Sequence, residues 1–253
     1  MKEIVQSVDR ALSILEALSD QEQGSGLSDI SKQIDLHKST VHRLLGTLIA
    51  RGYVEQDAET NRYSLTMKLF ELGNKKVEKL DVLTISKPYL RELADQTNEV
   101  VHLVIREGAE VIYIDKVEGD HTLRMHSRIG RRSPLYCTAV GKVMMAYSDE
   151  QKRRVWWQKS NIEEKTPFTI IDYEKMQEEI KKIKAQGYAL DEEENEIGVR
   201  CIGAPIFDHQ GKVYAALSIS GPATRMTAEK VDEFSIALLE YSQKISKELG
   251  YHI

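Results

Sequence analysis

Cysteine is nearly absent from this chain. Two residues in 253, Cys137 and Cys201, cannot build a disulfide framework, and such usage suits a reducing compartment. Proline is sparse too, at five, and no low-complexity tract or internal repeat occurs. No apolar run approaches the roughly 20 residues that a membrane span needs. The opening segment MKEIVQSVDRALSILEAL carries charge in every turn and runs into no small-residue cleavage site, so it does not read as a signal peptide. Positive charge is not in excess either, with 35 Lys and Arg against 40 Asp and Glu and a net charge of -5. That excludes a protein coating nucleic acid with its whole surface, but not a local basic reading head, because net charge averages over faces. A chain of this length can bury a core without metal or disulfide staples, as one large domain or two smaller ones. The expectation is a globular, cytoplasmic protein with no membrane association.

What is present begins with helical periodicity. Val8, Leu12, Leu15 and Leu18, with Ala11 and Ile14 beside them, predict a helix over residues 5–18 facing a core. A polar, glycine-bearing stretch from Asp20 to Gly26 ends it. Ser28 is expected to cap a short helix marked by Leu27, Ile30 and Ile34, and Ser39 to cap a third. The third directs Val41, Leu44, Leu45 and Leu48 inward and stops at Gly52. Extended runs at Tyr53–Gln56 and Arg62–Leu65, around a polar tip, predict a hairpin. Three helices and a hairpin make a winged helix-turn-helix, here 1–66, followed by an amphipathic linker helix over 67–79.

Residues 80–253 alternate differently. A helix over 84–97 leads to strands VVHLVIRE and VIYIDKVE, then to an extended TLRMHS over 122–127. A helix at CTAVGKVMMAY follows Pro134, with further helical segments to Gln186. Strands around VRCIGAPIFD and VYAALSIS and a terminal helix over 227–249 close the chain. Helices mixed with strand hairpins argue an α+β fold with a sensor-type sheet rather than a regular βαβ array.

Between Asp35 and Glu55 no acidic residue occurs, while Lys38, Arg43 and Arg51 supply positive charge and His37 and His42 flank them. The second helix of a helix-turn-helix enters the major groove with its N-terminal residues nearest the bases. Lys38, Ser39, Thr40, His42 and Arg43 occupy that end; the hydroxyls can bond phosphate or base edges, and Arg43 can fork onto a guanine. Arg62 on the hairpin arm and Arg10 on the first helix are candidates for phosphate contacts, which position without specifying, and Arg51 is a further DNA-binding candidate. The bland alternatives are a helical bundle with a solvated basic face, or a winged helix that binds protein.

A second acid-free stretch, His121 to Ser148, carries Arg124, Arg128, Arg131, Arg132 and Lys142 and reads as a solvated face. Within it, Thr138, Ala139 and Gly141 put small side chains at a helix start, where unpaired amides favour a carboxylate or phosphate. A two-residue loop between Asp208 and Gly211 would pair Cys201 with Ser218 and Val199 with Ser220, placing Cys201, Ser218 and Ser220 on one face. A slip of one residue would turn them to the other face. Asp191 heads an acidic run and can meet a ligand hydroxyl, although an exposed acidic loop is the plainer reading.

No enzyme is evident. Cys201 lies mid-strand with no histidine near it in sequence, so a buried packing thiol is the better assignment. His102, His121 and His126 lack tight ligand spacing and no metal or dinucleotide motif occurs, so no cofactor, metal or catalytic residue is expected. An enzyme acting on a sugar acid, with the first domain as its regulator, stays open as the alternative, as does a protein-binding scaffold.

Taken together, SVDRALSILEAL, LSDISKQIDLHKSTVHRLLGTLIARGYVEQ, RYSLTMKLFELG, RIGRRSPLYCTAVGKVMMA and GYALDEEENEIGVRCIGAPIFD resemble the IclR family of bacterial transcription regulators over nearly the whole chain. Within that family, KSTVHR, YSLTMKLFELG, LRMHSRIGRRSPLY and the terminal GYH are similar to repressors of pectin breakdown that sense 2-keto-3-deoxygluconate. The resemblance implies a winged-helix domain bound to an operator duplex, a linker helix and a GAF-like α/β effector domain, assembled as a homodimer or dimer of dimers. It implies a small carboxylate effector, held by Ala139 and Val140 at the helix start, Asp191, Cys201, and Ser218 with Ser220. Some relatives have Gly before Ala at that helix start, and the bulkier Ala139–Val140 pair leaves less room beside the carboxylate.

Overall fold

The computed structural model describes residues 4–21, 23–77, 81–121 and 127–251. They fall into two compact units, residues 1–79 and 80–253. The stretch expected as a separate linker groups with the first unit.

The first unit is built from α1 (Gln6–Ser19), α2 (Leu27–Gln33), α3 (Lys38–Ala50), β1 (Val54–Gln56), β2 (Tyr63–Leu65) and α4 (Lys68–Val77). Its core joins Ile14 and Leu18 of α1, Ile30 of α2, and Val41, Leu45 and Leu48 of α3 to Val54 and Tyr63 of the hairpin. Val8 and Leu12 are not part of it: both are more than half exposed. Only the C-terminal half of α1 reaches the core of this unit, so the helical periodicity runs beyond the residues that this core takes up. Leu44 is half-buried rather than inside.

The expected caps are also corrected. Gly26 and His37 hold the cap positions of α2 and α3 with no side-chain bond, and Ser28 and Ser39 lie inside the first turns. The stop of α3 is as expected. Gly52 has φ +75°, its amide bonds to Ile49 O at 2.8 Å, and that of Tyr53 to Leu48 O at 2.9 Å.

The second unit contains α5 (Asp81–Thr97), β3 (Val100–Glu107), β4 (Glu110–Val117), β5 (Arg132–Pro134), α6 (Ala139–Ala146), α7 (Glu150–Lys159), α8 (Tyr173–Gln186), β6 (Ala189–Glu192), β7 (Val199–Phe207), β8 (Val213–Pro222) and α9 (Ala228–Glu248). One antiparallel sheet runs in the order β5-β4-β3-β8-β7-β6. Helices α5 and α9 pack on one face and α6 and α8 on the other. Strands β5 and β6 were not expected; each is three or four residues long and its pairing is invisible to local periodicity. The strand expected over 122–127, with Arg124 and His126, lies outside the described residues apart from Ser127, as does His252.

The hairpin of β7 and β8 departs from the expected register. Asp208 N bonds to Lys212 O at 2.9 Å across a loop one residue longer than assumed, with Gly211 at φ +72°. A bulge then shifts the pairing once more, from Phe207↔Val213 to Ile206↔Ala215. Cys201 therefore faces Ser220, and Gly203 faces Ser218. Two shifts of one residue restore the parity of the pleat, so Cys201, Ser218 and Ser220 do share a face.

Glycine sets where α6 can begin. A Cβ on Gly141 would stand 2.3 Å from Leu135 O and 2.4 Å from Leu135 Cα, both backbone. Gly141→Ala would gain about 1 kcal/mol of helix propensity, yet overpacking against a fixed backbone costs about 1–3 kcal/mol or more. The expected outcome is net destabilisation in urea unfolding; a midpoint equal to or above that of the native chain would show that the Leu135 segment yields freely.

Candidate functional site

Two separate surfaces carry polar groups beyond what packing needs. The first is the outer side of α3. The preceding turn is made tight by Asp35, at φ +51°, where its short polar side chain tolerates the left-handed region, and by a Leu36 N to Ser31 O bond of 3.0 Å. With Val41, Leu45 and Leu48 buried, helical geometry leaves Lys38, Ser39, His42 and Arg43 exposed. Gly46 and Thr47 continue that face, and a Cβ on Gly46 would meet nothing within 4 Å, so nothing blocks approach there.

The remaining candidates are placed less centrally. Thr40 is half-buried on the flank, as is Arg10 on α1. Arg51 is exposed, but 13 residues beyond Lys38 puts it about 20 Å along the axis from the reading end. Arg62 donates from Nη1 to Gly24 O at 3.0 Å, so part of its guanidinium braces the loop between α1 and α2.

The second surface is a cavity of about 60 Å³ beneath the start of α6, several times what one water needs. Thr138 caps the helix. Its Oγ1 accepts from Gly141 N at 3.1 Å and donates to Pro134 O at 2.8 Å. That leaves the amides of Ala139 and Val140 without a partner inside the helix, and both residues line the cavity at the positive end of the helix dipole. Strand β7 comes directly under them because residue 203 is glycine: a Cβ there would lie 2.7 Å from Ala139 C and 2.8 Å from Val140 N. Gly141, expected to give a ligand room, instead turns toward Leu135 and does not line the cavity. It shapes the wall from behind.

The sheet supplies the opposite wall in two rows. Asp191, Cys201 and Ser220 pair across β6, β7 and β8, while Gly203, Ser218 and His102 pair across β7, β8 and β3. Asp191 is not on an exposed loop; it is buried on β6, and its Oδ1 accepts from Glu194 N at 2.8 Å and Asn195 N at 3.3 Å. Burial raises its pKa to about 7, Glu194 adds to the rise, and Lys142 with the two amides opposes it. Burial also pushes the Cys201 thiol up, with Asp191 contributing. A thiol so held is a neutral, weak donor and not a nucleophile.

Lys142 is a further correction. Counted with a solvated basic face, it is instead fully buried, its ammonium against Glu194 and 3.1 Å from Glu179 of α8. Burial opposes its charge, but Glu194 and Glu179 outweigh that and hold its pKa above the ordinary lysine value. Glu194 in turn belongs to the tight loop after Asp191. There Glu193 adopts φ +60° and its Oε2 accepts from Gly198 N at 2.7 Å, while Thr169 donates to Glu194 O at 2.6 Å.

Sequence reasoning missed Tyr113, Ser127 and Ser133, set His102 aside for want of ligand spacing and Arg131 as solvated; all five line the cavity. The available signal was a lone histidine on an otherwise apolar strand, and only the pairing of β3 with β8 gives it meaning. Among the described residues no group of three or more His, Cys, Asp or Glu could hold a metal ion, and no helix is long and apolar enough to cross a membrane.

A winged helix-turn-helix with an outward basic helix, carried on the same chain as a sensor sheet enclosing an anion-compatible cavity, defines a ligand-responsive DNA-binding regulator. Residues 7–58 match the IclR helix-turn-helix domain and residues 74–247 match the bacterial transcriptional regulator IclR C-terminal domain. The chain belongs to the IclR family of transcriptional regulators. It is 40% identical to the HTH-type transcriptional regulator KdgR of Escherichia coli K12, over 98% of this chain and 94% of that one. It is also 40% identical to XynR of the same organism, over 98% of each chain. The crystal structure of the Thermotoga maritima IclR superposes with a TM-score of 0.85 at 35% identity, covering 98% of this chain and 100% of that one.

The raised pKa of Asp191 has a defined consequence for stability. Between its ordinary value of 3.8 and about 7 the folded chain holds a proton that the unfolded chain releases, so this group's contribution falls as pH rises through that window. Asp191→Asn keeps an acceptor for the Glu194 amide and removes the titration. Its melting temperature relative to native should climb between pH 4.5 and pH 8, by the equivalent of about a few kcal/mol. Parallel profiles would contradict the buried, proton-holding carboxyl.

Proposed function

We propose that this chain is a repressor whose operator affinity is set by a small sugar-derived carboxylate of the 2-keto-3-deoxygluconate class. Residues 1–66 form the reading domain, 67–79 the connecting helix and 80–253 the effector domain, in a cytoplasmic homodimer or dimer of dimers. The observation that carries the reading is the pair of unbonded amides, Ala139 and Val140, opposite the polar row of Asp191, Cys201 and Ser220. A carboxylate meets the donor-only helix end, and hydroxyl groups meet the sheet. Bulk at residues 139 and 140 favours a slender acid over a ring.

On DNA, Lys38, Ser39, Thr40, His42 and Arg43 read the major groove, while Arg10, Arg51 and Arg62 position the domain on phosphates. Two such heads reach half-sites separated by about one helical turn, roughly 34 Å, or a multiple of it. An effector shifts this binding only through its different affinity for the competent and incompetent arrangements of the assembly, and the connecting helix is the element that changes the spacing of the heads.

On a duplex selected by the protein from a random pool, Arg43→Ala should weaken binding by about 1–3 kcal/mol while leaving random duplex nearly unaffected. Equal loss on both, at one salt concentration, would reduce Arg43 to a phosphate contact. In the effector domain, Asp191→Ala combined with Ser218→Ala should keep affinity for the selected duplex and abolish its release by 2-keto-3-deoxygluconate. Release that survives both changes would remove the cavity as the effector site.

A further inference from the structure

The walls of the cavity differ in hydrogen-bond polarity. At the start of α6 the Ala139 and Val140 amides can only donate, and the Asp191 carboxyl, which keeps a proton up to about pH 7, becomes acceptor-only once ionised. Between these lies a group that does both. The hydroxyls of Ser218 and Ser220 each stand 3.4 Å from His102 Nδ1, and that of Ser127 stands 2.7 Å from Nε2. A neutral imidazole has one donor and one acceptor. Burial holds this ring neutral, its pKa pushed down to about 3 with Lys116 adding to the effect, so it is no cation for a second carboxylate. Tyr113 meets the ring edge-on at 5.0 Å and fixes its plane.

The distances distinguish this histidine from a packed core residue. Its Nε2 bond is short, whereas Nδ1 shares two long contacts with hydroxyls that also line the cavity. Long, shared contacts leave both serine rotors able to turn toward a third partner. A ligand hydroxyl both donates and accepts, so it can enter between Nδ1 and the serines whichever nitrogen carries the proton. A methyl group cannot.

We infer that His102, acting with the Ser218 and Ser220 hydroxyls, is a specificity-determining residue that selects acids bearing hydroxyl groups over short keto acids that lack them. The inference rests on the reading of this cavity as a small-carboxylate site. A site built to bond a hydroxyl rejects the analogue without it because its own polar groups are then left poorly paired.

The test is titration calorimetry on the full chain with 2-keto-3-deoxygluconate and with pyruvate, for native protein, His102→Leu and His102→Asn. Native protein should prefer the hydroxylated acid. His102→Leu should weaken that acid by about tenfold and change pyruvate by less than about twofold. His102→Asn, whose amide reaches the Nδ1 position, should recover most of the loss, which a purely space-filling role would not produce. Equal weakening of both acids in His102→Leu, or an unchanged preference, would make His102 structural and overturn the inference. Native protein that binds both acids equally well overturns it as well, while leaving the small-carboxylate reading intact. Binding of neither acid overturns that reading and this inference together.

Discussion

The ammonium of Lys142 joins the three elements that frame one side of the cavity, namely α6, α8 and the loop after β6. Fully buried on α6, it pairs with Glu194 from the loop after β6 and with Glu179 from α8. Taking a lysine out of water is expensive, and two carboxylates offset that cost only while the geometry holds. The loop it holds carries Asn195 and Glu196 into the cavity wall, next to Asp191 on β6. A buried ion pair is weak support for stability by itself. Here its role is positional: removing one partner would strand the other charge, so α6, α8 and the loop keep one mutual arrangement.

Absence of side chains does comparable work on the other side of the cavity. Gly203 lets β7 run within contact of the α6 start, and Gly141 lets that start turn sharply out of the Leu135 segment. The free amides of Ala139 and Val140 thus sit on a sheet rather than in solvent, where their partial positive charge would be screened. Anion attraction at a helix start is modest in water and larger when the opposite wall excludes it. Burial holds His102 neutral, and it pushes the already neutral Tyr113 and Cys201 further from ionisation, so these three side chains add no charge to that wall.

The reading domain uses simpler physics. Its core takes one face of α3, and the opposite face, free of acidic residues, is what remains for a polyanion. Val8 and Leu12 on α1 stay outside that core, exposed on the surface of the chain.

Helical periodicity, the Gly52 stop and the polar hairpin tip were enough to derive the winged helix-turn-helix from residues alone, because each depends on neighbours within a few positions. The shared face of Cys201, Ser218 and Ser220 was derived with a wrong loop length and a missing bulge, two single-residue errors that cancel in a pleat of period two. Lys142 and Asp191 could not be placed that way, since a charged side chain looks solvated until its partners, 37 and 52 residues away in the pairs of Lys142, are brought beside it. His102 is the sharpest instance. Sequence leaves it a lone histidine on an apolar strand, and only the pairing of β3 with β8, across more than a hundred residues, sets it against two serines at the edge of a cavity.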